Sequence, residues 1–427
     1  MRRLVARKIL IRLRSGYASS GIGEDNPIDT VSHLYKWWVL LLCGLANFLA
    51  GLSWMSLPVL FHEISRATGR SMASLLAAWG VIPLAILVSA IPAGMLVDKT
   101  GIRWSIGIGG VAFGIAGAAR GFSPNYSFFL ISVFIYGCLL PFTYQLLSKT
   151  IGLFFEARRT GMAIGILQAL FGLAGSVAFM FSGTVFSSAF GGWRNLLYLL
   201  GAGSIILAFL WIATIRDPSL ARQGAVPIPR RPMVGGTITR LARNRDLRIL
   251  CLISFLSLGA WIGASGTLPF LLKNARGLSP QSANNLMSLA TWSWVMGALV
   301  LSYLSDRVRN RIYVLFSGCV VSGLGLFMLC ISDSTLTWLW ACLWGFAGGA
   351  VVIIIPLLLD VPGIDARNSG AAIGMVSGMG NLGAFVFPMV IAAFILNTDQ
   401  SIITLGIFCG LLGYTLAGLL SGKISYR

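Results

Sequence analysis

Twelve stretches of this chain are each apolar over about 20 residues, the length a helix needs to cross a hydrocarbon layer about 30 Å thick. They cover roughly 37–61, 73–97, 104–121, 126–152, 161–187, 194–215, 247–272, 285–304, 311–331, 335–359, 369–395 and 401–422. The stretches are continuous, whereas barrel strands would be about 10 residues long with strict alternation. They predict an all-α membrane protein of twelve transmembrane helices. Composition agrees: 56% of the 427 residues are hydrophobic and 11% charged, more apolar surface than a soluble chain can hide.

Twelve spans place both termini on one side. With the N-terminus cytoplasmic, the cytosolic segments hold 26 of the 32 Lys and Arg residues, and the other side keeps Arg66, Arg70, Arg120, Arg194, Lys273 and Arg276. Basic loops facing an anionic leaflet therefore account for the net charge of +19 without nucleic acid as a partner. A plasma or inner membrane, or an organelle membrane, would suit this pattern. The seven cysteines all fall inside spans and form no CxxC pair, so they read as packing residues.

Residues 216–246, rich in Pro, Gly and Arg, read as a cytosolic linker between two bundles, 37–215 and 247–422, with 423–427 a short tail. The halves resemble each other. "RRTGMAIGILQALFGLAG" from Arg158 aligns with "RNSGAAIGMVSGMGNLGA" from Arg367 at an offset of 209. "GMLVDKTGIR" (Gly94 to Arg103) aligns with "SYLSDRVRNR" (Ser302 to Arg311) at an offset of 208. Two pseudo-symmetric six-helix bundles are the pattern of a transporter that rocks one half against the other.

On these residues the chain resembles the major facilitator superfamily. The pattern G-x-L-x-D-[KR]-x-G-x-R is met by Gly94, Leu96, Asp98, Lys99, Gly101 and Arg103, and its second copy lacks the glycines. "FFEARRTGMAIG" and "GMVSGMGNLGAFVFP" resemble the monocarboxylate, oxalate/formate and cyanate or nitrate-type branch. The resemblance implies that Asp98 docks on the N-terminal end of span eleven, which closes the inner face. Glu156, Arg158 and Arg159 would mirror it against Asp306, Arg307 and Arg311, with Arg367 at the equivalent position of the second half.

The resemblance also implies a central cavity lined by spans one, four, seven and ten. Asn47, Trp54, Gln145, Trp261 and Ser265 are its candidate residues there, joined by Gln168, Trp292 and Asn381. Each polar one could instead be interhelical glue. Lys149 fits either an anion's carboxylate in the cavity or a snorkelling position at the inner interface. No Asp or Glu lies near the middle of any span, and spans two, eight and eleven hold no Lys or Arg, unlike the family's nitrate and oxalate carriers. Glu63 and His62 sit at the outer end of span one.

Two histidines and no clustered carboxylates leave no metal site, and no GxxxxGK[ST] loop binds ATP. No cofactor and no catalytic constellation is expected. The reading is a monomeric secondary or facilitative transporter that works by alternating access. Its partners are the lipid bilayer, a small-molecule substrate (an organic or inorganic anion) and a coupling ion if it uses one. Two alternatives stay open: efflux of amphipathic compounds, and a non-transporting sensor or scaffold. Residues 1–36 form a basic arm, and 1–20 could be either a membrane-surface segment or a mitochondrial-type presequence.

Overall fold

The computed structural model describes residues 33–155, 157–216, 235–308, 310–332, 336–364 and 368–424. The arm 1–32 and the targeting question it raises lie outside them. Among the described residues, eleven helices are long and apolar enough to cross a membrane. One of them, Met72–Phe122, has 51 residues and would reach about 76 Å if straight, far beyond a bilayer. It turns at Gly101, whose φ of 80° and ψ of 168° lie in a region open essentially to glycine alone. Spans two and three meet there, and the count becomes twelve.

The remaining spans are one (Leu34–Val59), four (Tyr126–Phe154), five (Arg159–Ala189), six (Trp193–Thr214), seven (Arg245–Arg276), eight (Pro280–Val308), nine (Arg311–Ile331), ten (Thr337–Leu359), eleven (Ser369–Ile395) and twelve (Ser401–Ser421). Several starts are capped by side chains that satisfy free N–H groups, such as Asn125 to Phe128 and Asn244 to Asp246 and Leu247. Within the predicted linker, Gly235–Arg243 forms a helix. Its Leu241 is buried while Arg240 and Arg243 stay exposed. Hydrophobic anchoring of one face overrides the glycine-rich start.

Spans one to six pack as one to five, two to four and three to six. The second half repeats these pairs as seven to eleven, eight to ten and nine to twelve. The correspondence reaches single residues. A methyl group on Gly114 of span three would lie 2.6 Å from the carbonyl oxygen of Gly201 in span six, so only glycine permits that approach. At an offset of 209, Gly323 and Gly410 make the same contact between spans nine and twelve. Left-handed Gly69 and Gly277 close the loops before spans two and eight.

Irregular backbone repeats too. Span four breaks at Tyr144, and span ten narrows to a 3-10 stretch at Gly349–Ile353, 208 residues on. Span five widens to a π stretch at Ser182–Phe186, and span eleven does so at Ile391–Ile395, 209 residues on. Such departures inside a span need buried polar partners or a cavity beside them.

The halves meet chiefly through spans five with eight and two with eleven. These contacts lie away from the Gly101 turn: Ser176 Oγ donates to the Ser288 carbonyl at 3.0 Å, and a methyl on Gly80 would touch Pro388 at 3.1 Å. On the face that carries the Gly101 turn and the basic loops, a methyl group on Gly94, or on the matching pairs Gly161 and Gly370, Gly165 and Gly374, would meet nothing within 4 Å among the described residues. The molecule is closed at one face and parted at the basic face.

Candidate functional site

A cavity of about 330 Å³ lies between the halves, beside the break in span four and the 3-10 stretch of span ten. Tyr144 and Gln145 enter it from the break, and Val351 from the 3-10 stretch. Two aromatic groups form its walls. Phe171 stands 4.7 Å from Tyr144 and 6.0 Å from Trp54 between ring centroids. Trp261 stands 6.1 Å from Trp294 and 5.0 Å from Trp344.

Polar groups between the walls come from hydroxyls and carboxamides. Ser257 and Thr291 donate to carbonyls of their own helices at 2.7 and 2.8 Å, and Asn381 Nδ2 donates to the Ser377 carbonyl at 3.0 Å. The carboxamide of Gln145 makes no hydrogen bond within the described protein, and the Trp54 indole N–H has no acceptor. No Asp, Glu, His, Lys or Arg is among the described lining residues.

Of the residues expected in the cavity, Trp54, Gln145, Gln168, Trp261 and Asn381 line it. The others sit elsewhere. Asn47 is buried and donates from Nδ2 to the Leu167 carbonyl at 2.6 Å, tying span one to span five next to Gln168. Ser265 donates to the Trp261 carbonyl at 2.6 Å on its own helix. Trp292 lies on the exposed side of span eight, while Trp294, two residues on, faces the cavity. Tyr144, Trp294, Ser257, Thr291 and Tyr414 were not expected there. The near-even tryptophan spacing in span eight does not say which indole turns inward.

At the basic face each half ties its inter-span turn to the end of its own fourth span. Lys149 of span four is ion-paired with Asp98. In the second half the signs are exchanged: Arg311 contacts Asp360 at the end of span ten at 3.5 Å and Asp306 at 3.2 Å. Lys149 is not among the described residues that line the cavity. Arg103 Nε donates to the Ile212 carbonyl at 2.8 Å, which fastens the Gly101 turn to span six. Lys99, Arg159 and Arg307 are exposed, and the space around Gly94 is open. Glu156 and Arg367, and the side chain of Arg158, lie outside the described residues. In this structure Asp98 is paired with span four.

Arg120, counted above with the non-cytosolic charges, is fully buried in the first half. Its guanidinium lies 3.6 Å from the Tyr136 ring centroid, and Nη2 donates to Ser53 Oγ at 2.6 Å. At the closed face Ser187 Oγ donates to Glu63 at 2.6 Å. Beside it, partial burial, then Lys273 and Arg66, hold the His62 imidazole below its ordinary pKa.

Residues 43–388 match the family model of the Major Facilitator Superfamily, and the chain belongs to that family: it is a membrane transporter and not an enzyme. It is 24% identical over 408 residues to the "Probable L-galactonate transporter" of Escherichia coli (strain K12), covering 90% of this chain and 87% of that one. It is 28% identical over 174 residues to the "Nitrite extrusion protein" of Bacillus subtilis (strain 168), covering 38% and 41%. Among solved structures, a bacterial homolog of the human lysosomal transporter Spinster in an inward-facing, occupied conformation superposes with a TM-score of 0.72 at 16% identity, covering 92% of this chain and 97% of that one. The unoccupied inward-facing form gives 0.73 at 17% identity, covering 93% and 99%.

Proposed function

We propose that the chain carries a small organic acid across the membrane by alternating access, as a monomer, since both walls of the cavity come from one chain. The observation that carries this reading is the cavity itself. It lies between two pseudo-symmetric halves, beside a broken span, and holds carboxamides and hydroxyls between aromatic walls. The names of the two relatives, a galactonate transporter and a nitrite extrusion protein, support an oxygen-rich acid as the cargo class.

The basic face is cytoplasmic in this reading, in a plasma or inner membrane, because it gathers most of the Lys and Arg. The parted basic face then corresponds to the inward-facing state. Asp98, Lys99, Gly101 and Arg103, with Asp306, Arg307 and Arg311, form the two halves of a latch that closes when the face closes. In that state Asp98 exchanges Lys149 for the N-terminal end of span eleven.

A ligand that binds only the folded protein raises stability by about 2.7 kcal/mol at a hundredfold excess over Kd. The test is thermal stabilisation of the purified protein by galactonate, lactate, nitrite and a set of hydrophobic cations. Stabilisation by one or more acids is the expected result. Stabilisation by the cations alone would instead assign efflux of amphipathic compounds, a reading the aromatic walls favour.

A further inference from the structure

We infer that the acid occupies this cavity in its protonated, uncharged form, so that the coupled proton rides on the solute and not on a side chain. The inference rests on the organic-acid reading above. Three observations carry it.

First, the described lining offers no cation. The ionisable groups facing the cavity are the phenols Tyr144 and Tyr414. Lys149, one turn beyond Gln145, is ion-paired with Asp98, and Arg120 is sealed under Ser53 and Tyr136. An ionised carboxylate in an apolar, aromatic setting without a cation is heavily penalised, and such a group takes up a proton instead.

Second, the free carboxamide of Gln145 matches a carboxylic acid. An amide offers one N–H donor edge and one C=O acceptor, and a protonated carboxyl presents the complementary acceptor and O–H donor. A carboxylate presents acceptors only, and in the same two-point geometry would set an oxygen against the amide oxygen.

Third, the helix end at Gln145 does not replace the missing charge. Span four resumes there directly after the first segment ends at Thr143, so the negative end of one segment abuts the positive end of the next.

The step balances simply. A carboxylate takes one proton from the medium on the entry side, crosses as the acid, and releases that proton on the exit side. One proton moves per solute, and no net charge crosses.

The experiment measures binding by thermal stabilisation from pH 4.5 to 8 with galactonate, lactate and nitrite, and with galactonamide as an uncharged isostere. Above the solute's own pKa, the apparent Kd for total acid should rise about tenfold per pH unit and stay constant when expressed as undissociated acid. Galactonamide should bind equally across the range. Gln145→Lys, which supplies a cation, should flatten the dependence on pH. In proteoliposomes, uptake of galactonate should be unaffected by a potassium diffusion potential, with protein-free vesicles as the control for leakage. A Kd for total acid that is flat with pH, or uptake driven by the potential, overturns the inference while leaving the organic-acid reading intact. If no acid binds at any pH, both fall together.

Discussion

At the scale of single residues, the most demanding group is Arg120. A guanidinium buried in a membrane bundle survives only with its donors satisfied and its charge stabilised. Ser53 supplies hydrogen-bond acceptors and Tyr136 a ring face. Replacing Tyr136 by Leu removes a desolvated cation–π contact worth about 2 kcal/mol. The thermal midpoint of the purified Tyr136→Leu variant should therefore fall by several degrees, and an unchanged midpoint would show that the guanidinium finds its stabilisation elsewhere. Little of this was legible beforehand. Arg120 lies two residues from the end of span three, where an arginine ordinarily reaches water. Only the burial of Ser53 and Tyr136 around it reveals its partners. Trp292 and Trp294 teach a similar lesson: composition announced indoles in span eight, but helix rotation decides which one lines the cavity.

At the scale of elements, the repeat was written in the chain. Asp98 and Asp306, and Arg158 and Arg367, mark it at offsets of 208 and 209. The matching π stretches of spans five and eleven were not legible, because "SGTVF" and "IAAFI" share no residue in register. Backbone packing, not local side-chain preference, places them. The Gly101 turn was legible, since tight reversal between two spans calls for glycine. Among its ties, Asp98 reaches span four and Arg103 reaches span six. The Asp98–Lys149 pair is partly exposed, at 27% and 42%, so it is worth no more than about 1 kcal/mol. A carboxylate docked on a partly buried helix N-terminus reaches about 2 kcal/mol. Asp98→Asn should consequently favour the inward-facing state by about 1 kcal/mol net, roughly a fivefold change in population. Spin-label distances between the basic-face ends of spans two and eleven should shift toward the longer value, and transport should slow. Distances and rate both at the wild-type level would remove the latch.

At the scale of the whole molecule, one face is closed by spans five with eight and two with eleven, and the opposite face is parted. These two contacts are exchanged when the halves are interchanged, as a rocking motion about the cavity requires. The spans were legible from hydrophobic length, and the halves from the linker and the paired motifs. The cavity was legible only in part: Pro141 stands three residues before the break at Tyr144, but which side chains the break turns inward depends on helix rotation. The most direct measurement of alternating access uses Ser176→Cys with Ser288→Cys, at positions that meet between spans five and eight on the closed side of the cavity. Uptake of a labelled acid into proteoliposomes should be lost when this pair is oxidised and return on reduction, while each single variant transports throughout. Undiminished uptake with the disulfide formed would contradict the account.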